Sequence, residues 1–575
     1  MYKEEYKKWI SFDGLETELK NELESISGNE REIEERFYKE LEFGTAGLRG
    51  IIGAGTNRMN KYVVRRATQG LAEYLLTCDG AKERGVAIAY DSRNKSDVFA
   101  KETALVLANN GIKTYLYSTL HSVPQLSFTI LHLGCIAGVV ITASHNPTQY
   151  NGYKVYWEHG GQAGPVQADE ILSYIRNVDY FDVEAMDEEK AKKEGLLVMI
   201  GEEIDEAYFA STQTLLMHKE LLEKKGSELK IVYTPLHGTG YVPVQSILKR
   251  IGINNVSVVE QQALPNGDFP TVKAPNPEDP DAFTLAFELA DKVGADAILA
   301  TDPDADRLGA AVRKKDGSFM VLTGNKIGSI LIHYILSSKK ENGTLGENGL
   351  VVKSLVSTRM ADKICEHFGV EMRDVLTGFR YISEQIAICE ETKEREYLFG
   401  FEESYGFLAG TFSRDKDGIC AAMLLAEACV YYKEQGKTLY DVLMEMYETY
   451  GYYDESVKSY TLEGKEGIER IGNAMVQLRK NSPEEFASVK VVRSEDFQSS
   501  ICKDQNGECK IMLPKSNVLR YLLDGGAWIA IRPSGTEPKL KLYIGANADK
   551  ENEVKVLLDS LMSDADAKLK SLLFE

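Results

Sequence analysis

Residues 85–117 have the sequence GVAIAYDSRNKSDVFAKETALVLANNGIKTYLY, in which an apolar strand, a polar loop, a helix, a glycine and a second strand follow one another. The same order returns in residues 230–260 and in residues 350–376. Apolar strands that alternate with amphipathic helices are typical of βαβ units, whose parallel strands are covered by helices. The pattern therefore predicts three similar α/β units with mixed or mainly parallel sheets.

A glycine ends the helix of each repeat. Gly111, Gly252 and Gly369 each stand just before an Ile or a Val. Gly accepts the left-handed backbone that stops a helix, and the β-branched residue favours the strand that follows. The three repeats are therefore predicted to switch from helix to strand at these glycines.

Each repeat also contains a later strand that runs into a polar loop. The strand AGVVITA precedes residues 144–147, ADAILAT precedes residues 302–307, and REYLFG precedes residues 401–406. Binding sites of open α/β sheets lie beyond the carboxyl ends of strands. We therefore expect the three loops to converge on one central cleft.

The two ends of the chain have a different pattern. Residues 3–42 are rich in Glu and Lys with apolar residues at helical spacing, which predicts one or two amphipathic helices. Strand-like segments after about residue 455, with helices near 465–480 and 550–572, predict a smaller α+β domain. The predicted parts are an N-terminal helical extension of domain 1 (1–42), α/β domains 1 to 3 (43–205, 206–322 and 323–452) and a C-terminal α+β domain 4 (453–575).

Composition excludes several classes of function. Among 575 residues, 67 Lys and Arg stand against 88 Asp and Glu, which gives a formal net charge of −21. Phosphate backbones and anionic lipids repel such a chain, so we expect neither nucleic acid nor a membrane as partner. No apolar run approaches the ~20 residues of a membrane span, and the first residues lack a secretory signal. The eight dispersed Cys form no CxxC pair, which predicts reduced thiols and a cytoplasmic location.

The string ITASHNP (141–147) places Ser144 and His145 at the end of an apolar strand. Such a pair is commonly only a turn or a helix cap, and the string is not the GxSxG elbow of α/β-hydrolases. The alternative is a nucleophilic serine. Lys154, ten residues further on, is a candidate for neutralising a phosphate.

The string DPDADR (302–307) spaces Asp302, Asp304 and Asp306 at every second residue. In an extended loop the three carboxylates can turn to one point and supply the hard oxygen ligands that Mg²⁺ prefers. An Asp-rich turn that caps a helix is the alternative. An EF-hand is excluded, because position six of the loop is Arg307 and not Gly.

Two further loops have the composition of binding sites. RPSGTEPK (532–539) follows the strand AWIAI, and its Arg, its hydroxyls and the N–H groups around its Gly suit a phosphate. FGFEESYGF (399–407) offers two carboxylates and a Ser, and carboxylates accept hydrogen bonds from sugar hydroxyls. The alternatives are an ordinary hairpin tip for the first loop and a surface loop for the second.

A Ser loop, a three-Asp loop, a Glu/Ser loop and an Arg-Ser-Gly-Thr loop, in that order over four domains, resemble the α-D-phosphohexomutases. The resemblance covers the chain from about Phe43 onward and is greatest to the long bacterial phosphoglucomutases. It implies four domains around one deep cleft.

The resemblance also implies a role for each matching residue. It implies Ser144 as the phosphoserine and a Mg²⁺ ligand beside Asp302, Asp304 and Asp306; Arg49 of GLRG, Lys154 and His145 as catalytic residues; Glu402 and Ser404 as ligands of the sugar; Arg532, Ser534, Gly535 and Thr536 as the site of the second phosphate; and Arg380 of TGFRYI as a substrate-binding residue. Arg380 stands where the family often has Lys or His.

The implied reaction is the interconversion of glucose 1-phosphate and glucose 6-phosphate by an Mg²⁺-dependent isomerase, with glucose 1,6-bisphosphate as intermediate and activator. Phosphomannomutase and phosphopentomutase activities with the same mechanism are the alternatives, and outside this class a non-catalytic sugar-phosphate sensor. The implied partners are small sugar phosphates, and the implied assembly is a monomer or a homodimer.

Overall fold

The computed structural model describes residues 2–44, 47–462, 464–534 and 539–574. The chain divides into two compact units. The first comprises Met1–Gly324, Ser383–Lys393 and Tyr397–Thr438, and the second comprises Asn325–Ile382, Glu394–Glu396 and Leu439–Glu575.

The first two hundred residues of the first unit form three N-terminal helices and an α/β layer structure. Their elements are α1 (Tyr2–Ile10), α2 (Thr17–Ser25), α3 (Glu30–Phe37), β1 (Gly47–Ile51), α4 (Lys61–Leu75), α5 (Ala81–Arg84), β2 (Val86–Tyr90), α6 (Ser96–Asn109), β3 (Thr114–Tyr117), α7 (Val123–Leu133), β4 (Ala137–Ile141), β5 (Tyr150–Trp157), α8 (Pro165–Ile175), α9 (Glu188–Lys193) and β6 (Leu197–Ile200). The strands form one sheet in the order β1-β5-β4-β2-β3-β6. The β2, β3, β4 and β6 pairings are parallel, and β5 is antiparallel to both β4 and β1.

The N-terminal extension packs on this domain through Trp9, which is fully buried. Its ring lies edge-on to Phe37, Tyr62, Tyr180 and Phe181, with centroid distances of 5.3–5.9 Å. The sequence predicted one or two helices here, and the structure has three, because Gly14 and the Ser27-Gly28 pair break the helical pattern twice.

The second α/β part continues the first unit. Its elements are α10 (Glu202–Gln213), α11 (Lys219–Lys225), β7 (Lys230–Thr234), α12 (Tyr241–Arg250), β8 (Asn255–Val258), α13 (Glu260–Ala263), α14 (Thr284–Val293), β9 (Ala297–Thr301), β10 (Leu308–Arg313) and β11 (Phe319–Leu322). The sheet order is β11-β10-β9-β7-β8, with β7 parallel to β8 and β9 and the β9-β10-β11 edge antiparallel. The tight turn between β9 and β10 contains the three-Asp loop.

The third part contributes to both units. Its elements are α15 (Gly324–Glu341), β12 (Gly349–Ser354), α16 (Met360–Phe368), β13 (Glu371–Val375), α17 (Arg380–Thr392), β14 (Glu396–Glu402), β15 (Gly406–Ala409), α18 (Gly418–Glu434) and α19 (Leu439–Tyr450). In the second unit β12 pairs with β13 in parallel, and in the first unit β14 and β15 form an antiparallel hairpin around residues 403–405. The helix α18 is buried on nearly all sides, as its continuous apolar sequence requires.

The last part is an antiparallel sheet with two long helices, and it belongs to the second unit. Its elements are β16 (Tyr452–Thr461), α20 (Gly464–Lys480), β17 (Glu485–Phe486), β18 (Val489–Asp496), β19 (Ile501–Asp504), β20 (Gly507–Lys510), β21 (Leu519–Leu523), β22 (Trp528–Pro533), β23 (Lys539–Ala548) and α21 (Glu551–Phe574). The main path of the sheet is β16-β23-β22-β21-β18-β19-β20. This arrangement confirms the predicted α+β C-terminal domain.

The helix-ending glycines confirm the predicted repeats. Gly111, Gly252 and Gly369 have φ values of 73°, 89° and 71°, and each follows the helix of its strand-helix-strand unit. This left-handed backbone is the conformation that Gly adopts without strain.

One expectation about cysteines is wrong. Cys502 on β19 and Cys509 on β20 are register partners across a hairpin, with a Cα–Cα distance of 5.1 Å, and they form a disulfide. The pairing depends on the turn of the hairpin, so a search for closely spaced CxxC pairs does not detect it. The other six cysteines are free thiols. None of the helices in the described part of the chain combines the length and the apolarity that crossing a bilayer requires.

Candidate active site

The three-Asp loop forms a buried carboxylate cluster in the first unit, called here the aspartate cluster. Asp302, Asp304 and Asp306 follow β9, are at most 2% exposed, and bring ligand oxygens within 4.8 Å of one another. The buried oxygens Asp304 Oδ1 and Asp306 Oδ1 accept no hydrogen bond from the residues that the structure describes. Burial and the neighbouring Asp304 charge raise the pKa of Asp302. A bound cation relieves both costs, so the cluster has the donor set and the charge of a metal site.

Two lysines from distant parts of the chain contact this cluster. Lys154 Nζ, on β5, lies 3.1 Å from Asp304 Oδ2. Lys416 Nζ lies 2.9 Å from Asp306 Oδ2 and 2.9 Å from Asp415 Oδ1, and these carboxylates raise the pKa of Lys416 against the effect of burial. Arg307 pairs with Glu278 at the edge of the loop.

Lys416 is a site residue that the sequence analysis missed. Its signal is the string RDKDG (414–418), a dense run of charges directly before the buried helix α18. Buried charges are rare unless they are paired, so such a run beside an apolar helix indicates an internal ion pair.

Ser144 lies directly on the aspartate cluster. Its Oγ donates a hydrogen bond to Asp302 Oδ2 at 2.7 Å and lies 3.1 Å from His145 Nδ1. Burial and nearby cations, Arg307 first among them, lower the pKa of His145 well below its usual value, so the ring is neutral at pH 7. The structure thus brings together the predicted serine, histidine and three aspartates.

Arg49 approaches the serine loop from the neighbouring strand. It lies on β1 opposite Gly152 of β5, two residues before Lys154, and its Nη1 donates a hydrogen bond to Asn146 Oδ1 at 3.1 Å. The antiparallel pairing of β1 and β5 therefore places both predicted cations beside the serine loop.

The predicted sugar loop adjoins the three-Asp loop. Glu402 is the last residue of β14 and is 8% exposed, and Ser404 is half-buried in the following turn. The backbone N–H of Leu308 donates to the carbonyl of Tyr405 at 3.1 Å, and the backbones of Arg307 and Gly406 pair in an isolated antiparallel β-bridge. The negative charge of Glu402 also helps to raise the pKa of Lys416.

The remaining predicted residues belong to the second unit. Arg380 begins α17, stacks on the ring of Tyr381 at 4.6 Å and donates to its hydroxyl at 2.7 Å. Arg532 lies near the end of β22, and the N–H of Ser534 donates to the carbonyl of Lys539 at 2.7 Å. Gly535 and Thr536 lie outside the described residues.

Comparison with known proteins identifies the family. Four models of phosphoglucomutase/phosphomannomutase domains match in order: α/β/α domain I at residues 40–181, domain II at 206–317, domain III at 323–450 and the C-terminal domain at 474–559. The chain is 37% identical over 528 residues to a phosphoglucomutase of Staphylococcus saprophyticus, covering 91% of this chain and 94% of the relative. It is 38% identical over 546 residues to a phosphoglucomutase of Staphylococcus epidermidis, covering 94% and 96%.

A solved structure supports the fold. The open form of parafusin, a phosphoglucomutase from Paramecium, superposes with a TM-score of 0.70 at 17% identity, covering 94% of this chain and 96% of that protein. From the four domain matches and the two bacterial relatives, the chain belongs to the phosphoglucomutase/phosphomannomutase family, a family of phosphohexomutase isomerases.

Proposed function

We propose that the protein is a phosphoglucomutase, which interconverts α-D-glucose 1-phosphate and glucose 6-phosphate through phosphorylated Ser144 and glucose 1,6-bisphosphate. The observation that carries this proposal is the hydrogen bond from Ser144 Oγ to Asp302 Oδ2. It places a hydroxyl at the end of a strand in contact with the aspartate cluster, whose buried carboxylates a cation would neutralise. The activity named for the two Staphylococcus relatives supports the choice of glucose.

The aspartate cluster fits Mg²⁺, the hard cation that carboxylate oxygens prefer. Asp302, Asp304 and Asp306 would hold the ion, with an oxygen on Ser144 completing the set. When bound, Mg²⁺ offsets the negative charge of a transferring phosphoryl group.

The proposed reaction consists of two successive phosphoryl transfers. Phosphorylated Ser144 gives its phosphoryl group to the free hydroxyl of the sugar phosphate: the P–Oγ bond breaks, a P–O bond to the sugar forms, and the sugar's hydroxyl proton ends on Ser144 Oγ. The bisphosphate then reorients so that its other phosphate faces Ser144. That phosphoryl group is transferred to Ser144 by the same bond changes in reverse. The net result moves one phosphate between carbons 1 and 6.

Three side chains of the first unit suit this transfer. Lys154 and Arg49 supply positive charge beside the serine loop, where the transferring group is most negative. His145 is neutral and its Nδ1 lies 3.1 Å from Ser144 Oγ, so the ring can hold a proton at that atom when the serine loses or regains the phosphoryl group.

Binding of the rest of the substrate is assigned to the other predicted loops. Glu402 and Ser404 suit the adjacent 3- and 4-hydroxyls of a pyranose, and Arg532, Ser534, Gly535 and Thr536 suit the phosphate that is not transferred, with Arg380 as a further substrate-binding residue. Glucose and mannose share the 3- and 4-hydroxyls, so this loop alone separates them weakly, whereas a pentose presents its hydroxyls at different heights and fits the loop less well. We expect kcat/KM to fall from glucose 1-phosphate to mannose 1-phosphate and to be lower for ribose 1-phosphate and glucosamine 1-phosphate.

The test is turnover of glucose 1-phosphate with Mg²⁺ and glucose 1,6-bisphosphate by the wild type and by Ser144→Ala. Ser144→Ala should lose nearly all turnover and should gain no phosphoryl group in its intact mass after incubation with the bisphosphate. Ser92→Ala is the matched control, because this buried hydroxyl of the same domain has no hydrogen-bond partner among the described residues. Wild-type turnover by Ser144→Ala, or a preference for ribose 1-phosphate, would contradict the proposal.

A further inference from the structure

The backbone of Ser144 has an unusual conformation, in which its hydroxyl contacts Asp302. Its φ is 51°, in the left-handed region that side-chain-bearing residues rarely adopt. With this backbone the chain turns sharply after β4, and Ser144 Oγ reaches Asp302 at 2.7 Å. Residues in rare backbone conformations persist only where surrounding contacts hold them, so the contacts of Ser144 identify what holds it.

Two buried side chains bond both polar backbone groups of Ser144. Its N–H donates to Thr142 Oγ1 at 2.8 Å, and its carbonyl accepts from Arg93 Nη2 at 2.5 Å. Thr142 is fully buried, and the Arg93 side chain is also fully buried. Because both ends of the residue are fixed, rotation of its backbone breaks at least one hydrogen bond between buried groups.

Arg93 fastens the whole serine loop. Beyond Ser144, its Nη2 also donates to the carbonyl of Asn146, and its Nη1 donates to the carbonyls of Pro147 and Tyr150 at 3.0 Å each. Four carbonyls of one seven-residue stretch thus converge on one planar guanidinium. A lysine ammonium has three N–H donors at a single point and does not reproduce this fork.

Arg93 is itself held rigidly. Asp91 Oδ1 accepts from the backbone N–H of Arg93 at 2.9 Å, and Asp91 Oδ2 lies 3.4 Å from the side-chain Nε of Arg93. The guanidinium also lies over the ring of Phe269, with Cζ 5.1 Å from the centroid. Asp91 in turn accepts the Thr142 hydroxyl at 2.6 Å, so the two side chains that fix Ser144 share one buried carboxylate.

We infer that Arg93 and Thr142 are positioning residues, which hold Ser144 in its left-handed conformation so that its hydroxyl, or the phosphoryl group it carries, faces the aspartate cluster. This inference rests on the proposed phosphoserine mechanism. Neither residue touches the substrate in this assignment. They act on the rate of phosphoryl transfer through the backbone of Ser144, and displacement of a reacting atom by about 1 Å can slow a reaction about 100-fold.

The experiment measures how fast dephosphorylated protein takes up a phosphoryl group on Ser144 from glucose 1,6-bisphosphate, by quenched-flow intact mass. We expect Arg93→Lys to slow uptake about 100-fold, while the bisphosphate concentration for half-maximal rate stays within about threefold. Arg66→Lys is the matched control, because Arg66 is similarly buried in the same domain and also donates to a main-chain carbonyl, that of Val178 at 2.7 Å, but does not contact the serine loop. It should keep the wild-type rate within about threefold.

A second pair of variants tests the same conformation if Arg93→Lys does not fold. Thr142→Val removes the acceptor for the Ser144 N–H with little change of volume, together with the 3.1 Å contact of the Thr142 hydroxyl with Asp304 Oδ2, and should slow uptake about tenfold. Thr142→Ser keeps the hydroxyl and should restore the rate. Equal rates for Arg93→Lys and Arg66→Lys, equal rates for the two Thr142 variants, or a change confined to the half-maximal concentration would overturn the inference. Absence of uptake by the wild type would instead contradict the proposed function.

Discussion

Each of the two compact units contains a buried group of charges, and the two groups differ in how their oxygens are used. In the first unit, the aspartate cluster leaves Asp304 Oδ1 and Asp306 Oδ1 without a hydrogen-bond donor among the described residues. In the second unit, a group called here the Arg520 cluster consists of Lys353, Asp374, Glu495 and Arg520.

In the Arg520 cluster every carboxylate oxygen of Asp374 and Glu495 is bonded. Asp374 Oδ1 and Oδ2 accept from Lys353 at 2.6 Å and from Arg520 at 2.8 Å. Glu495 Oε2 and Oε1 accept from Arg520 at 2.6 Å and from Arg493 at 2.8 Å. A cluster whose carboxylate oxygens all accept hydrogen bonds is suited to joining the third and fourth parts of the chain. A cluster with oxygens that accept none from the described residues is suited to binding a ligand.

The largest expected effect is on activity at the aspartate cluster. Asp304→Asn removes one negative charge and one ligand oxygen from the site, so we expect turnover with Mg²⁺ to fall at least about 1,000-fold. The midpoint of thermal unfolding should change little, because relief of the repulsion from Asp302 and Asp306 is offset by a weaker contact with Lys154, which lies 3.1 Å from Asp304 Oδ2. The steady-state rate and the melting temperature are the measurements. Asp316→Asn, at an exposed turn of the same domain, is the control, and a rate within tenfold of wild type for Asp304→Asn would contradict the assignment.

The same substitution should act in the opposite way in the Arg520 cluster. Asp374→Asn leaves the buried Lys353 ammonium, 2% exposed, with an incomplete partner, so we expect the second unit to lose about 3 kcal/mol of unfolding free energy. Chemical denaturation followed by the fluorescence of Trp528 measures this loss. The double variant with Lys353→Met and Asp374→Leu should recover most of it, because Arg520 keeps Glu495 as a partner and Asp362, which pairs with Lys353 at 3.3 Å, is 36% exposed to water. Equal destabilisation by Asp304→Asn and Asp374→Asn would remove the distinction between the clusters.

Mg²⁺ should stabilise the unit that contains the spare oxygens. At a concentration one hundred times its dissociation constant, an ion that binds only the folded state adds about 2.7 kcal/mol of unfolding free energy. We expect calorimetry with Mg²⁺ and with excess chelator to show this gain in the wild type and in Asp374→Asn but not in Asp304→Asn. A gain that survives in Asp304→Asn would place the ion elsewhere.

A third buried carboxylate, Asp417, has neutral donors and gives the smallest effect. Its oxygens accept from the Tyr208 hydroxyl at 2.9 Å and from the Cys420 N–H at 2.8 Å, and burial raises its pKa to about 6. The folded state therefore binds the proton more tightly than the unfolded state, and stability falls as the pH rises from about 4 through 6. Between pH 5 and 7.5 the loss should be about 1.4 kcal/mol.

Asp417→Asn should lack this particular loss while keeping the oxygen that caps α18. Melting temperatures of the wild type and the variant at pH 5 and pH 7.5 test the prediction. The two proteins should differ more at pH 7.5, with the variant the more stable. A gap that is the same at both pH values would show that Asp417 has an ordinary pKa.

The repeating architecture and the centre of the site were predictable from sequence for a local reason. The strand-helix-glycine pattern and the loops at Ser144 and Asp302 each consist of consecutive residues, and each loop follows the carboxyl end of a strand in its own sheet, where binding sites of α/β sheets lie. Arg93 and Lys416 were not predicted, because each acts on a residue that is distant in sequence. Thr142 lies only two residues from Ser144, but its bond to the Ser144 N–H depends on the left-handed backbone of Ser144, which the sequence does not show. Lys416 reaches Asp306 from 110 residues away, and Arg93 reaches Ser144 from 51 residues away.

The Cys502–Cys509 pair shows the same limit at short range. The two cysteines are seven positions apart in the sequence, and only the register of the β19–β20 hairpin makes them partners. A shift of that register by one residue would place the side chains on opposite faces. Composition therefore predicted the thiol state of the dispersed cysteines but not of this pair.

The left-handed backbone of Ser144 has a consequence for attempts to make the protein more robust. Stability-guided redesign replaces strained residues at positive φ with Gly, a change that relieves on the order of 1 kcal/mol. At this position the same replacement deletes the oxygen of the proposed phosphoserine. Screens that rank variants by melting temperature alone would therefore favour a variant that is more stable but, on the proposed mechanism, inactive. Such a redesign has to keep Ser144 and increase stability at other positions.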